Sequence, residues 1–432
     1  MHRAARLLSL PACLLLAGAT LTGLPLGAAA QGKPPAAAAA AEPTGPQISK
    51  AFAKDLAKAN ELLQKQAYAD VLPLLDKADA KADKTPGDQF FIDYFRAQAL
   101  AKQNRLAESV PYYEKVIASG QVPPERLVNE IGLVARIAGG IEPRDWAKAA
   151  DFGGRYLALA GNDREMLELV TIAHYQAKRP DRCDQALKYG AEALTAAGTA
   201  QVKPAEGVLQ ILQRCAEAKG DGAANIRYAT ELVRNYPTRD YWGTAVTVVL
   251  RDAEKSDAKT LEALRMVLAL NLMGSANGYL QLAQLARDAG LPGEAEAAIR
   301  KGLASGAFAN PGDKARGDAL LADASAAATL DRKELPALEA EAKAAKTGDP
   351  DVLLAEAFLS YGQYDKAAEA ARRALGKGVN DQNEANLLLG KALVGAGQGS
   401  EAAAAFAKVT GGDYRDLAPL WGIFATQGVP AT

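Results

Sequence analysis

Residues 351–377 read DVLLAEAFLSYGQYDKAAEAARRALGK, and residues 386–409 read NLLLGKALVGAGQGSEAAAAFAKV. In the first stretch Leu354, Ala355 and Phe358 share one helical face, Gly362-Gln363-Tyr364-Asp365 makes a turn, and Ala367, Ala371 and Ala374 share a face of the next helix. The second stretch repeats this with Leu389, Gly390 and Leu393, a turn at Gly397-Gln398-Gly399, then Ala402, Phe406 and Val409. Two helices joined by a short turn, twice in succession, make a helix hairpin the unit of the chain. Outward from this point, everything beyond Gln47 reads as helix after helix, with Gly, Asp and Asn at the joints and no alternating Val/Ile/Tyr strands of any length.

The spacing resembles the tetratricopeptide (TPR) repeat, in which an aromatic residue, Leu-Gly and Tyr mark the first helix and Ala, Phe and Pro the second. A small residue early in the second helix serves as a ruler: Val71, Ser109, Ala147, Cys183, Ala224, Ala295, Ala367 and Ala402 lie 38, 38, 36, 41, 71, 72 and 35 residues apart. The two large intervals are about twice a single repeat of roughly 34 residues. They predict degenerate units, one with its second helix near Thr260–Met273 and one near Glu334–Ala345, for about ten hairpins over residues 48–426 and a last segment around Leu417–Phe424. The first aromatic is missing from the two clearest units, where Asp351 and Asn386 stand instead. The Tyr236-Pro237 ending followed by Tyr241-Trp242 does match the repeat-to-repeat junction. The fold class expected is all-α, a right-handed superhelical solenoid of antiparallel hairpins; another all-α solenoid is the alternative. A single hairpin cannot bury its apolar stripe, so such units must stack.

Composition agrees with a helical array. The 432 residues are 49% apolar but only 6% aromatic, and Ala and Leu dominate. Fifty Lys and Arg balance 51 Asp and Glu, so there is no basic excess for a phosphate backbone and nucleic acid is not expected as a partner. Two histidines and three cysteines are too few for zinc sites of the usual kind, and no metal or cofactor is expected.

The first thirty residues read as an export signal, with Arg3 and Arg6 ahead of an apolar run from Leu7 to Gly27 and Ala28-Ala29-Ala30 as a cleavage site before Gln31. A retained N-terminal anchor is one rival, opposed by Pro11 and Pro25 within the run. Lipidation is the other, because Leu10-Pro11-Ala12-Cys13 resembles a lipoprotein box, although Pro11 sits poorly in it. Residues 31–47 are rich in Ala and Pro and read as a tether, and residues 427–432 as a tail. The expected address is periplasmic or secreted, with no integral span in the mature chain.

Candidate chemistry is sparse. His174, in MLELVTIAHYQAK, is either a general base or a packed core histidine. Glu294 with Glu296, and Glu339 with Glu341, are two apart on helices, so their side chains diverge and read as solvated face. Gly139-Gly140, Gly153-Gly154 and Gly411-Gly412 lack the spacing of phosphate loops and read as turn and helix-end glycines. Phe90, Phe91, Tyr94 and Phe95 place four rings within six residues of one helix, too many for one face, so Phe91 and Tyr94 are candidates for a ligand platform unless the core takes them. By the resemblance, first helices line a concave groove that binds peptides or partner helices, which puts Tyr94, Gln98, Gln213, Gln284, Arg287, Glu356 and Lys391 in that groove. Cys183 and Cys215 fall near adjoining helix ends in the repeat register. They are a possible disulfide if their Cα atoms come within roughly 7 Å, or else two packed thiols.

The function this implies is a non-enzymatic scaffold for a protein or peptide client in the cell envelope. A cell-envelope hydrolase on a helical scaffold and a self-assembling architectural protein are the alternatives.

Overall fold

The computed structural model describes residues 45–253 and 256–428. The expected signal, the lipidation and anchor alternatives at residues 1–30, most of the tether and the last four residues lie outside that range. Among the described residues there are twenty helices and no strand, and consecutive helices pack on one another as hairpins. The chain divides into two compact units whose boundary, Ile211/Leu212, falls inside α9 (Glu206–Lys219).

The first unit carries α1 (Lys50–Gln64), α2 (Tyr68–Asp79), α3 (Pro86–Lys102), α4 (Leu106–Ala118), α5 (Pro124–Gly140), α6 (Trp146–Ala160), α7 (Arg164–Gln176) and α8 (Arg182–Thr199). Short polar side chains start three of these helices, α3, α6 and α7, by accepting otherwise orphaned backbone amides. Thr85 and Asp88 form a reciprocal capping box on α3, and Asp88, fully buried, also accepts the Ser49 amide at 2.8 Å, which ties the entering chain to α3. Asp145 and Asp163 cap α6 and α7 by accepting the Lys148 and Met166 amides.

The second unit carries α10 (Gly222–Asn235), α11 (Arg239–Ala253), α12 (Asp257–Ala269), α13 (Ala276–Asp288), α14 (Pro292–Ala304), α15 (Pro311–Ala344), α16 (Asp349–Ser360), α17 (Tyr364–Lys377), α18 (Gln382–Gly395), α19 (Gly399–Phe406) and α20 (Ala418–Gln427). The α16–α17 and α18–α19 hairpins fall where the repeat reading puts them, with left-handed glycines at Gly362 (φ 67°) and Gly397 (φ 74°) in the turns. The degenerate unit expected near Thr260–Met273 is α12. The one expected near Glu334–Ala345 is not a hairpin: α15 runs unbroken for 34 residues. Its segment holds no turn glycine after Gly317, and Pro336 is accommodated within it.

The ruler holds at Val71, Ser109, Ala295, Ala367 and Ala402, all fully buried at helix crossings. It slips at Ala147, Cys183 and Ala224, which are partly exposed, while the buried positions are Ala150, Ala186 and Asn225. Two of the glycine pairs also differ from the turn reading. A Cβ at Gly139 would lie 2.6 Å from Leu169, and one at Gly153 2.3 Å from Val170, so these glycines permit the close approach of α5, α6 and α7.

The last helix of the second unit returns to its start. α20 packs on α10 as well as on α18 and α19, and Trp421 and Ile423 share one core with Ile226, Ala229 and Val233. The Gln427 side chain donates to the Arg234 carbonyl at 3.3 Å, closing a span of 193 residues. This closure brings polar side chains of α12, α14, α16 and α18 together.

Candidate functional site

Within α12 the run LEALRMVLA is apolar except for Glu262 and Arg265, one turn apart. Glu262 is fully buried, and three donors converge on it: Lys391 Nζ at 2.8 Å, Arg265 Nη1 at 2.9 Å and the Trp421 indole N–H at 3.0 Å. Arg265 turns its other edge to Glu294 in a two-bond fork of 2.8 and 2.6 Å, and its Nη2 lies 3.5 Å from Glu356. Burial alone would raise the Glu262 carboxyl, but the charges of Lys391 and Arg265 outweigh it and hold it at about 2. Glu294 is likewise held down, against its burial, by Arg265. Glu384 moves the other way, pushed up by burial and then by the charge of Glu356. Tyr414 is also pushed up, first by burial and then by Glu384, Glu262 and Glu356.

The cluster forms the floor of an open cleft of about 800 Å³ in the second unit. Leu359, Val394, Phe424, Tyr361 and Tyr364 supply apolar and aromatic wall. Arg300, Lys301 and Arg332 stand at the rim, with Glu296 bridging Arg300 at 2.8 Å and Arg332 at 3.0 Å. The Arg332 guanidinium lies over the Tyr361 ring at 4.7 Å, and the Tyr361 hydroxyl donates to Asp331. Ser360 accepts the Glu294 amide at 2.9 Å, so its hydroxyl oxygen is engaged with backbone. These polar groups are organised as ion pairs, an arrangement suited to holding charged and apolar side chains.

The sequence-derived groove residues scatter. Glu356 and Lys391 line the cleft. Lys391 does so as a buried partner of Glu262, its side chain only 10% exposed. Gln284 is exposed and donates to Asp288, and Arg287 pairs with Asp323 at 2.6 Å, both away from the cleft lining. Gln213 is buried and donates to Asn225 at 2.8 Å. Gln98 is partly buried on α3. Phe91 and Tyr94 do not form an exposed platform, being 7% and 4% exposed. Helices on both sides of α3 take up the rings that one face cannot: Phe90 stacks on Tyr94, Phe91 meets Phe95, and Arg126 of α5 covers Tyr94 at 4.9 Å.

His174 is the packed histidine of the two readings. It is buried and stacks on Tyr189 at 5.4 Å, desolvation lowers its pKa, and its buried Nδ1 has no hydrogen-bond partner. Glu294 and Glu296 diverge as expected but are not solvated face, because each is drawn into its own set of ion pairs. Asp351 and Asn386, which replace the repeat's first aromatic, are both buried. Asp351 pairs with Arg373 at 2.9 Å and Lys377 at 2.8 Å, one turn apart on α17. Cys183 and Cys215 are both disulfide-bonded.

Sequence reasoning missed Glu262, Arg265, Glu294 and Trp421 as one site. A glutamate and an arginine on the core side of an apolar helix were the available signal; the partners Lys391 and Trp421 of Glu262 lie 129 and 159 residues away and answer to no spacing rule.

Neither a protein-family model nor a curated protein matches the chain. Among solved structures, the chain is similar to the TPR domain of P58(IPK), at 14% identity over 88% of this chain and 98% of that one, with a TM-score of 0.22. It is similar to a monomeric mutant of IFIT1 with Gppp-AAAA, at 15% identity over 82% of this chain and 76% of that one, TM-score 0.22. A third likeness is to the APC/C hetero-tetramer Cut9-Hcn1, at 13% identity over 85% and 86%, TM-score 0.18. Likenesses this loose carry no ligand, partner or assembly over to this chain. No described helix is long and apolar enough to cross a membrane.

Proposed function

We propose that the protein is a non-enzymatic binding scaffold of helix hairpins, exported to the periplasm or cell surface, and that it holds a peptide segment of an envelope protein in the cleft of its second unit. The observation that carries this reading is the cleft itself, an open cavity whose floor is a pre-formed ionic cluster and whose walls are apolar and aromatic. Pre-ordered charges lose little freedom when a ligand arrives, and apolar wall supplies the burial that affinity needs. The export part rests on the sequence of residues 1–30 alone.

Panning a randomised peptide library on the full chain tests the binding reading. Leu359→Trp, which fills the cleft from its wall, should reduce recovery at least about tenfold while leaving the helical circular dichroism spectrum unchanged. Equal recovery on both proteins would overturn the assignment of the cleft. Export is tested separately, by the N-terminus of the native protein: Gln31 is expected, and an intact Met1 or a lipid on Cys13 would contradict it.

A further inference from the structure

The charges on the floor of the cleft do not cancel. Among the described residues, Glu262, Glu294 and Glu356 face Arg265 and Lys391, leaving one carboxylate in excess. Geometry identifies where the excess sits. Glu262 and Glu294 are saturated by short contacts, whereas Glu356 has only the 3.5 Å approach of Arg265, a guanidinium already committed to Glu262 and Glu294. Glu356 is also the most accessible of the three, with 26% of its side chain exposed against 19% for Glu294 and none for Glu262. It therefore presents an under-compensated carboxylate to the cavity.

We infer that the cleft accepts a lysine or arginine side chain of its peptide ligand, with the cationic head at Glu356 and the aliphatic stem along Leu359, Val394 and Phe424. The inference rests on reading the cleft as a peptide site. A long basic side chain matches the cleft in both respects, because its methylene stem suits apolar wall while its head supplies the missing positive charge. At the rim the balance is reversed, since Arg300 and Arg332 share Glu296 and Lys301 donates to the Leu268 carbonyl at 3.3 Å, but all three cations are exposed, where solvent and salt screen them, and the carboxylate excess is confined to the floor. Backbone on either side of the inserted residue would cross that rim.

The test uses three pools of acetylated, amidated hexapeptides, randomised except for one central position fixed as arginine, citrulline or glutamate. Citrulline keeps the shape of arginine without its charge. The arginine pool should bind the full chain at least about tenfold more tightly than the citrulline pool. Glu356→Gln should erase most of that margin while leaving the helical spectrum unchanged. Equal binding of the arginine and citrulline pools to the native protein would overturn the inference while leaving peptide binding intact. If no pool binds, or if binding survives Leu359→Trp, the peptide reading falls and the inference falls with it.

Discussion

Glu262 shows how a single side chain ties the fold to its chemistry. A carboxylate with no exposed surface is expensive to bury, and only the convergence of Lys391, Arg265 and Trp421 makes it tolerable. Its carboxyl sits at about 2 in the fold against an ordinary 4.5. A group whose pKa is lower in the folded chain contributes stability above its unfolded value and loses it as pH falls through the folded value. Glu262 therefore contributes at pH 5 and above, and its share is lost as pH falls from roughly 4.5 towards 2. Urea unfolding at pH 7 and pH 3 should show this: Glu262→Gln should narrow the difference between the two, and an unchanged difference would contradict the pairing. Lys391→Met should be worse than removing both charges, because it leaves the buried carboxylate under-compensated, with only Arg265 and the Trp421 indole as partners, at a cost of up to about 3–5 kcal/mol. A second residue-scale test is steric. A Cβ at Gly390 would lie 2.5 Å from the Phe406 ring, so Gly390→Ala should cost about 1–3 kcal/mol by overpacking, measured by thermal unfolding.

At the scale of the element, helices were legible wherever small residues and turn glycines kept time. The α16–α17 and α18–α19 hairpins could be read directly because Gly362 and Gly397 punctuate them and Ala367 and Ala402 mark the crossings. α15 was misread because interval arithmetic demanded a hairpin where the sequence offers no turn. Phe91 and Tyr94 were ambiguous for a different reason: the periodicity of one helix cannot say how many neighbours will cover it, and here α3 is enclosed. α20 falls where a last segment around Leu417–Phe424 was expected, but no repeat signature told that it would close the second unit. Ending the chain after Leu417 should expose the core shared with α10 and remove the indole donor to Glu262. Loss of cooperative unfolding of the second unit, followed by hydrogen exchange in α10 and α12, is the expected result; native protection in both helices would contradict the closure. The disulfide linkages of Cys183 and Cys215 make a separate expectation: reduction of the denatured chain should raise its free-thiol count by two.

For the molecule as a whole, the hairpin architecture was written in local spacing, whereas the site was not. Glu356 and Lys391 were placed in a groove by the resemblance, but what they do there depends on Glu262, Arg265 and Trp421, which the chain brings to them only when the second unit closes. Binding surfaces of this kind are assembled by tertiary contact, and one-dimensional patterns report them only as polar residues in unexpected places. The central claim is that this cleft, with its ionic floor, is where the protein meets its client. Hydrogen–deuterium exchange of the full chain with and without a library-selected peptide tests it most directly. The account predicts added protection confined to the cleft-lining segments of α12, α14, α16, α18 and α20, whereas protection centred on α3 and α5, or absent from those five helices at saturating peptide, would contradict it.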